Sequence, residues 1–289
     1  MFQIIGLVLL FGLVFGSYII SGGKMDVILH ALPHEMMAIG GAGVAAFMIS
    51  NSVAVIKSTL AGFGKAFAGP KWKPADYRDL LSLLFLLTKT MKSKGVIALE
   101  SHIEKPGESS IFSRFPKLMK DHFAIDFICD TLRMMTMNLD DPHQVEDAME
   151  KQLEKHHHEA LAPAGALQNL ADALPALGIA AAVLGVIKTM GAITEPPEIL
   201  GEMIGSALVG TFLGVFLAYG LVGPMGTRMK DVVEEEGAFY RIIQAVLVAH
   251  LHGNAAQISV EIGRGNVPTA SQPSFLELEE ALANIPAEG

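Results

Sequence analysis

Few side chains in this 289-residue sequence could do chemistry, and they fall into three groups. The first lies in an otherwise apolar stretch from about Asn169 to Gly223. Asp172 sits about one turn into it, Lys188 near the end of its first apolar run, and Thr211 midway along the second. Ionisable groups at membrane depth are costly and mark ion or proton paths. Lys188 can escape by reaching toward the interface with its long stem. Asp172 cannot, which makes it a candidate for ion handling. Asp172 lies toward one end of its helix and Thr211 carries no charge, so an ion path here needs a mid-membrane carboxylate from another subunit.

The second group is TMKSKGVIALESHIEKPGES, with Lys89, Lys92 and Lys94 before Gly95, and Glu100, Glu104 and Glu108 after it. Such a pattern is either a solvated, self-compensating surface or a docking site whose complementary charges sit on a partner. The third group is His156, His157 and His158. Consecutive helical side chains point about 100° apart, so the three cannot converge on one metal ion unless the helix unwinds. They read as a solvated helix face. The sequence contains no GxxxxGK[ST], CxxC or GxSxG pattern, which leaves phosphate-loop, zinc-ribbon and hydrolase chemistry without support. No enzyme activity and no cofactor are expected.

The elements that must position these groups are membrane helices. The chain is 51% hydrophobic and 18% charged, where a soluble domain has about a quarter of its residues charged. A first span is expected from about Phe2 to Ile20, retained because it lacks the basic lead and cleavage site of a secretory signal. A connector, SGGKMDVILHALPHE, follows, and a second span from about Met36 to Val55. The third and fourth spans are the two apolar runs around the turn at Glu195, Pro196, Pro197 and Glu198. Pro175 and Pro224 mark bends, since a proline inside a helix removes a hydrogen bond. Gly178, Ala182 and Gly185 on one run, and Gly201, Gly205, Gly210 and Gly214 on the other, form stripes of small residues suited to close helix contact. Gly12 and Gly16 form a further such pair.

Between the hairpins lies a segment of different character, holding 15 of the 21 Lys and Arg residues. With Lys57 and Lys65 after the second span and Arg228 and Lys230 after the fourth, this asymmetry places the segment and the tail in the cytoplasm. Within it, the run from Leu80 to Leu87 is too short to span and reads as a buried core helix. HFAIDFICDTLRMMTMNL is its expected packing partner, and Asp141-Pro142 starts a charged helix leading back to the membrane. A long helix is expected to stop near Gly253-Asn254, and a last one to begin at Ser274. The expected fold is thus an all-α integral membrane protein with four transmembrane helices. Its divisions are a first hairpin (1–56), a helical cytoplasmic lobe (57–166), a second hairpin (167–224) and helical C-terminal segments (225–289). Cys129 is the one cysteine, so no internal disulfide is possible. A net charge of -9 with no basic stripe argues against a nucleic-acid partner.

Five stretches, FGSYIISGG, GVIALESHIEKPGESSIF, ADALPALGIAAAVLGV, LVGTFLGVFLAYGLVGP and PSFLELEE, together make the sequence resemble the MotA family of flagellar stator subunits over nearly its whole length. The resemblance implies a bacterial inner-membrane protein at the flagellar basal body. It implies a ring, five subunits around a dimer of MotB, whose single transmembrane helix supplies the ion-carrying aspartate. Ion passage then rotates the ring, and the cytoplasmic lobe pushes on the rotor protein FliG. By the same resemblance the family's hinge prolines fall on Pro175 and Pro224, its third-helix acid on Asp172, its path threonine on Thr211 and its rotor-facing glutamate on Glu100. The basic partner of that glutamate falls on Lys92, flanked by Lys89 and Lys94. Lysine there keeps the charge but lacks the planar fork of the arginine found in the best-known members. Sodium-driven relatives carry a hydroxyl residue seven positions after the proline; Ala182 occupies that position here, which favours protons. The nearest rival, an ExbB- or TolQ-like energiser of outer-membrane transport, has three spans with the lobe after the first. An ordinary transporter would need a polar cluster at mid-bilayer.

Overall fold

The computed structural model describes residues 2–139 and 141–285, which are helical with short connections and contain no strand. Two compact units result. One comprises the chain up to Gly69 together with Leu161–Val232; the other comprises Pro70–Ala160 together with the chain from Val233 onward.

In the first unit, α1 (Phe2–Ile20) is uninterruptedly apolar and ends where Gly22 adopts a φ of +84°, a conformation that glycine takes without steric cost. The expected connector is then overturned. Only Ser21–Lys24 form a turn; α2 (Met25–Glu35), a π-helical turn (Met36–Gly40) and α3 (Gly41–Ser50) follow without a break. Backbone groups in hydrocarbon must be satisfied internally, which favours helix even around Pro33. This apolar helix also stops earlier than expected, at Ser50 rather than Val55. Asn51 is extended (φ -126°, ψ 148°), and the Ser52 hydroxyl accepts a bond from the Val55 N–H to cap α4 (Val53–Ala68).

The third apolar run lies within α8 (Pro142–Gly191), a 50-residue helix that passes through Pro163 and Pro175. Its start has the expected form, with Asp141 Oδ1 accepting a 2.9 Å bond from the His143 N–H. The fourth run is α9 (Pro197–Phe216), continued through a second π-helical turn (Leu217–Val222) into α10 (Gly223–Leu251). In that turn the Gly223 N–H reaches back five residues to Ala218 O, immediately before Pro224, which has no N–H to offer. Phe11 and Phe15 of α1 meet Phe216 edge-on at 5.2 and 5.6 Å. Among the described residues, four helices are long and apolar enough to cross a membrane: Phe2–Ile20, Met25–Ser50, Pro142–Gly191 and Pro197–Leu251.

The second unit is built on α5 (Pro74–Lys94), α6 (Glu100–Glu104), α7 (His122–Thr136), α11 (Ala256–Gly265) and α12 (Phe275–Ala283), with the charged end of α8 and the later part of α10. Leu80, Leu81, Leu83, Leu84 and Leu87 are fully buried, as an all-round apolar helix requires. They pack with Phe127, Ile128 and Leu132 of α7 and with Phe239, Ile242 and Val246 of α10. Trp72 stacks on Phe239 at 3.9 Å. Asp121 caps α7, accepting from the Ala124 N–H (2.8 Å), and also receives Lys71 Nζ and the Tyr240 hydroxyl (2.9 Å). Helix α12 opens on a capping box of Ser274 and Glu277.

Candidate functional site

The seam between α8 and α9 is made by missing side chains. A Cβ on Gly178 would lie 2.9 Å from Gly210 O and 3.1 Å from Gly214 Cα, and one on Gly185 3.1 Å from Ala207 Cα. Gly205 instead meets Val27 of α2, and Gly201 meets nothing. Gly12 and Gly16 likewise have open space around them, so that expected pair makes no contact within this chain.

The α8 residues expected to bear on ion handling lie beside this seam, not in it. At about 100° per residue, Asp172, Pro175 and Ala182 share a stripe roughly 80° wide with Ile179 and Val186. Asp172, Ile179 and Val186 are exposed, while Leu174, Gly178 and Ala181 are buried on the neighbouring stripe. The carboxylate of Asp172 accepts a 3.0 Å bond from Gln168 Nε2. Thr211 is half-buried on α9, and Pro224 lies at the second position of α10.

One polar group was not anticipated. The Glu35 carboxylate, placed by sequence in a connector, enters the space that a side chain at Gly210 would fill; its Oε2 is buried with no hydrogen-bond partner. Glu35 immediately precedes the Met36–Gly40 π turn. Only the acidic residue at the head of a long apolar run hinted at it.

In the second unit, Lys89, Lys92 and Lys94 are exposed on the last turns of α5, which ends at Gly95 with φ +82°. Glu100, Glu104 and Glu108 border one open groove with His102, Lys105 and Ser109. Glu104 pairs with Arg133 (2.8 Å) and Glu108 with Lys105 (3.3 Å). The charges do not cancel across the segment, since no ion pair links the three lysines to the three glutamates among the described residues. Lys89 Nζ lies 5.6 Å from the Phe85 ring centre. His250 is a half-buried neighbour of this surface: burial, and then the charge of Lys92, hold its imidazole below the ordinary value.

The three histidines are not simply a solvated face. His156 stacks on Phe123 at 3.5 Å and meets Tyr240 edge-on at 5.3 Å, because α7 and α10 close over that side of α8. Burial pushes the Cys129 thiol up to about 12, so it is an unreactive core residue.

A family model described as "Motility protein A N-terminal" matches residues 4–95, and one described as "MotA/TolQ/ExbB proton channel family" matches residues 120–241. The chain is 37% identical over 280 residues to motility protein A of Escherichia coli (strain K12), covering 97% of this chain and 94% of that protein. It is 35% identical to chemotaxis protein LafT of Vibrio parahaemolyticus, with 97% and 98% covered. In fold it is similar to a chain from the structure of C. jejuni MotAB (TM-score 0.73, 18% identity, 94% and 98% covered). It is similar also to a chain of the flagellar MotAB stator complex from Bacillus subtilis (TM-score 0.72, 20% identity, 96% and 100% covered). Four membrane-length helices, an all-helical charged unit and these likenesses agree, and the chain belongs to the motility protein A family within the MotA/TolQ/ExbB proton channel family.

Proposed function

We propose that this chain is the ring-forming subunit of a proton-driven flagellar stator in the bacterial inner membrane. Five copies surround the membrane helices of a MotB partner, whose aspartate carries the ion. The charged unit lies in the cytoplasm and transmits torque to the rotor protein FliG. One observation carries this reading: Asp172 is exposed on α8 in line with exposed Ile179 and Val186, and Pro175 and Ala182 lie half-buried along the edge of that stripe. A partner helix packed there would bring its carboxylate alongside Asp172 and the Thr211-bearing α9. Ala182 adds no oxygen to such a path, which suits a proton better than a sodium ion that wants several oxygen ligands. On the rotor side, exposed Lys92 and Glu100, with Lys89 and Lys94, offer charges for a complementary surface.

The reading is tested by expressing the chain with its own single-span partner in cells that lack their stator pair. Restored swimming is expected. No swimming, with both proteins in the membrane, contradicts the reading and favours an ExbB- or TolQ-like energiser of outer-membrane transport.

A further inference from the structure

Glu35 and Gly210 form a site that neither the family resemblance nor the proposed ion path uses. Glu35 is ten residues beyond the start of the Met25–Ser50 helix, and Gly210 thirteen beyond the start of α9. At 1.5 Å per residue these are about 15 and 20 Å from the helix ends that adjoin the short loops. Both therefore lie well inside their apolar helices, beyond Asp26 on the one and Glu198 and Glu202 on the other. The carboxylate fits because Gly210 has no Cβ: a side chain there would collide with Oε2 and Cδ of Glu35, and would lie 3.5 Å from Ala181 Cβ. A structural carboxylate at such depth would be expected to hold a donor on each oxygen, since an unpaired buried charge is costly. Oε2 holds none.

The adjacent His34 is the ionisable neighbour whose charge bears on Glu35. On α2 there are Asp26, His30 and the adjacent His34; on α9, Glu198 and Glu202; on α8, Asp172 and Lys188. Those of α8 and α9 lie about two helical turns or more from Ala181 or Gly210 along their helices.

Resting on the stator reading above, we propose that Glu35 is a resident proton-binding group of this subunit. Its Oε2 takes up a proton from the side of the short loops, forming the neutral acid in the Gly210 notch, and the O–H bond breaks again as the proton passes to the carboxylate that the partner helix brings. The subunit then contributes a carboxyl of its own beside the one its partner brings.

The test compares Glu35→Gln, Glu35→Asp and Gly210→Ala with the unmodified chain across external pH. Swimming speed is recorded, and assembly is followed by co-purification of the partner. A positioned proton-transfer group is worth about 10²–10⁴ in the rate of the step it serves; because other steps also limit swimming, Glu35→Gln is expected to slow it by about tenfold or more. Its residual speed should no longer vary with external pH, and Glu35→Asp should recover most of the loss. Unaltered speed in Glu35→Gln at every pH overturns the proposal. So does an equal loss in the Gln and Asp variants with the pH profile unchanged. If Glu35→Gln does not assemble, infrared difference spectra of the purified complex between acid and neutral pH decide. A protonated-carboxyl band that shifts in Glu35→Asp supports the proposal, and an unshifted band contradicts it. Failure of the unmodified chain to restore swimming overturns the stator reading instead, and the infrared result still decides proton binding at Glu35.

Discussion

Gly178 and Gly214 meet backbone to backbone: a Cβ on Gly214 would lie 2.9 Å from Gly178 Cα and 2.7 Å from Leu174 O. No flexible side chain is available there to give way. Gly214→Val is therefore expected to destabilise the purified protein by about 1–3 kcal/mol through overpacking, or to part the helices. Gly165→Ala is the control. It lies in the interior of α8, the helix of Gly178, with open space around it, and should raise stability by about 0.5–1 kcal/mol. Thermal melts of the two variants, with partner co-purification, check the contrast.

The charged unit should lose stability in acid in two steps. Burial pushes the Asp121 carboxyl upward, but Lys71, the Ala124 N–H and Tyr240 outweigh it and hold the group below the ordinary carboxylate value. The unfolded chain therefore binds this proton first as pH falls below about 3.9, and the stability Asp121 gives is lost as pH drops through its lower folded value. His250 is also depressed, chiefly by burial. Its contribution is present above the unfolded value of about 6.5 and is lost as pH falls through the folded one. Trp72 is the one tryptophan and is buried in this unit, so its fluorescence reports unfolding. His250→Gln should flatten the upper step alone. Asp121→Asn should flatten the lower one and cost about 1.5–3 kcal/mol near neutral pH, the worth of hydrogen bonds to a charged group.

Much of the architecture can be read from the chain itself. The run Phe2–Ile20 is bounded by Ser21-Gly22, and the structure ends α1 there; the buried leucines of α5, the Asp141 start of α8 and the Ser274 cap of α12 follow from local pattern. The second span was harder. Pro33, His34 and Glu35 look like a loop, yet the helix runs through them, and Asn51-Ser52 looks apolar enough in context, yet it breaks the helix. Helix α11 left no clear signature in its glycine-bearing sequence. The place of Glu35 depends on Gly210, 175 residues further on, and the stacking of His156 on Phe123 depends on how α7 meets α8. Neither relationship is local, so no periodicity reveals it. The positions of Asp172, Pro175, Ala182, Thr211 and Pro224 on their helices were legible, while the roles expected of them rest on the resemblance and, for Asp172, on its exposed place on α8.

Charge reversal at the exposed surface should separate torque from folding. Lys92→Glu and Glu100→Lys are each expected to slow swimming strongly. Neither residue makes an ion pair within the described chain, so stability should change by no more than about 0.5 kcal/mol. Lys89→Glu and Lys94→Glu should have smaller effects. Swimming speed measured beside the Trp72 unfolding curve checks both halves; a large stability loss would show that these charges serve the fold.

Asp172→Asn removes a charge but can keep the contact with Gln168. Motility is expected to fall while the complex with the partner still assembles. Full swimming by this variant would remove Asp172 from the ion path.

The most direct measurement is the rotation speed of single tethered cells that lack their own stator pair and carry this chain with its partner. Sodium is withdrawn first, and a protonophore is added afterwards. Rotation that persists without sodium and stops with the protonophore is the result expected of a proton-driven stator. Rotation that stops on sodium withdrawal would contradict the proton assignment argued from Ala182, and cells that never rotate would contradict the stator account itself.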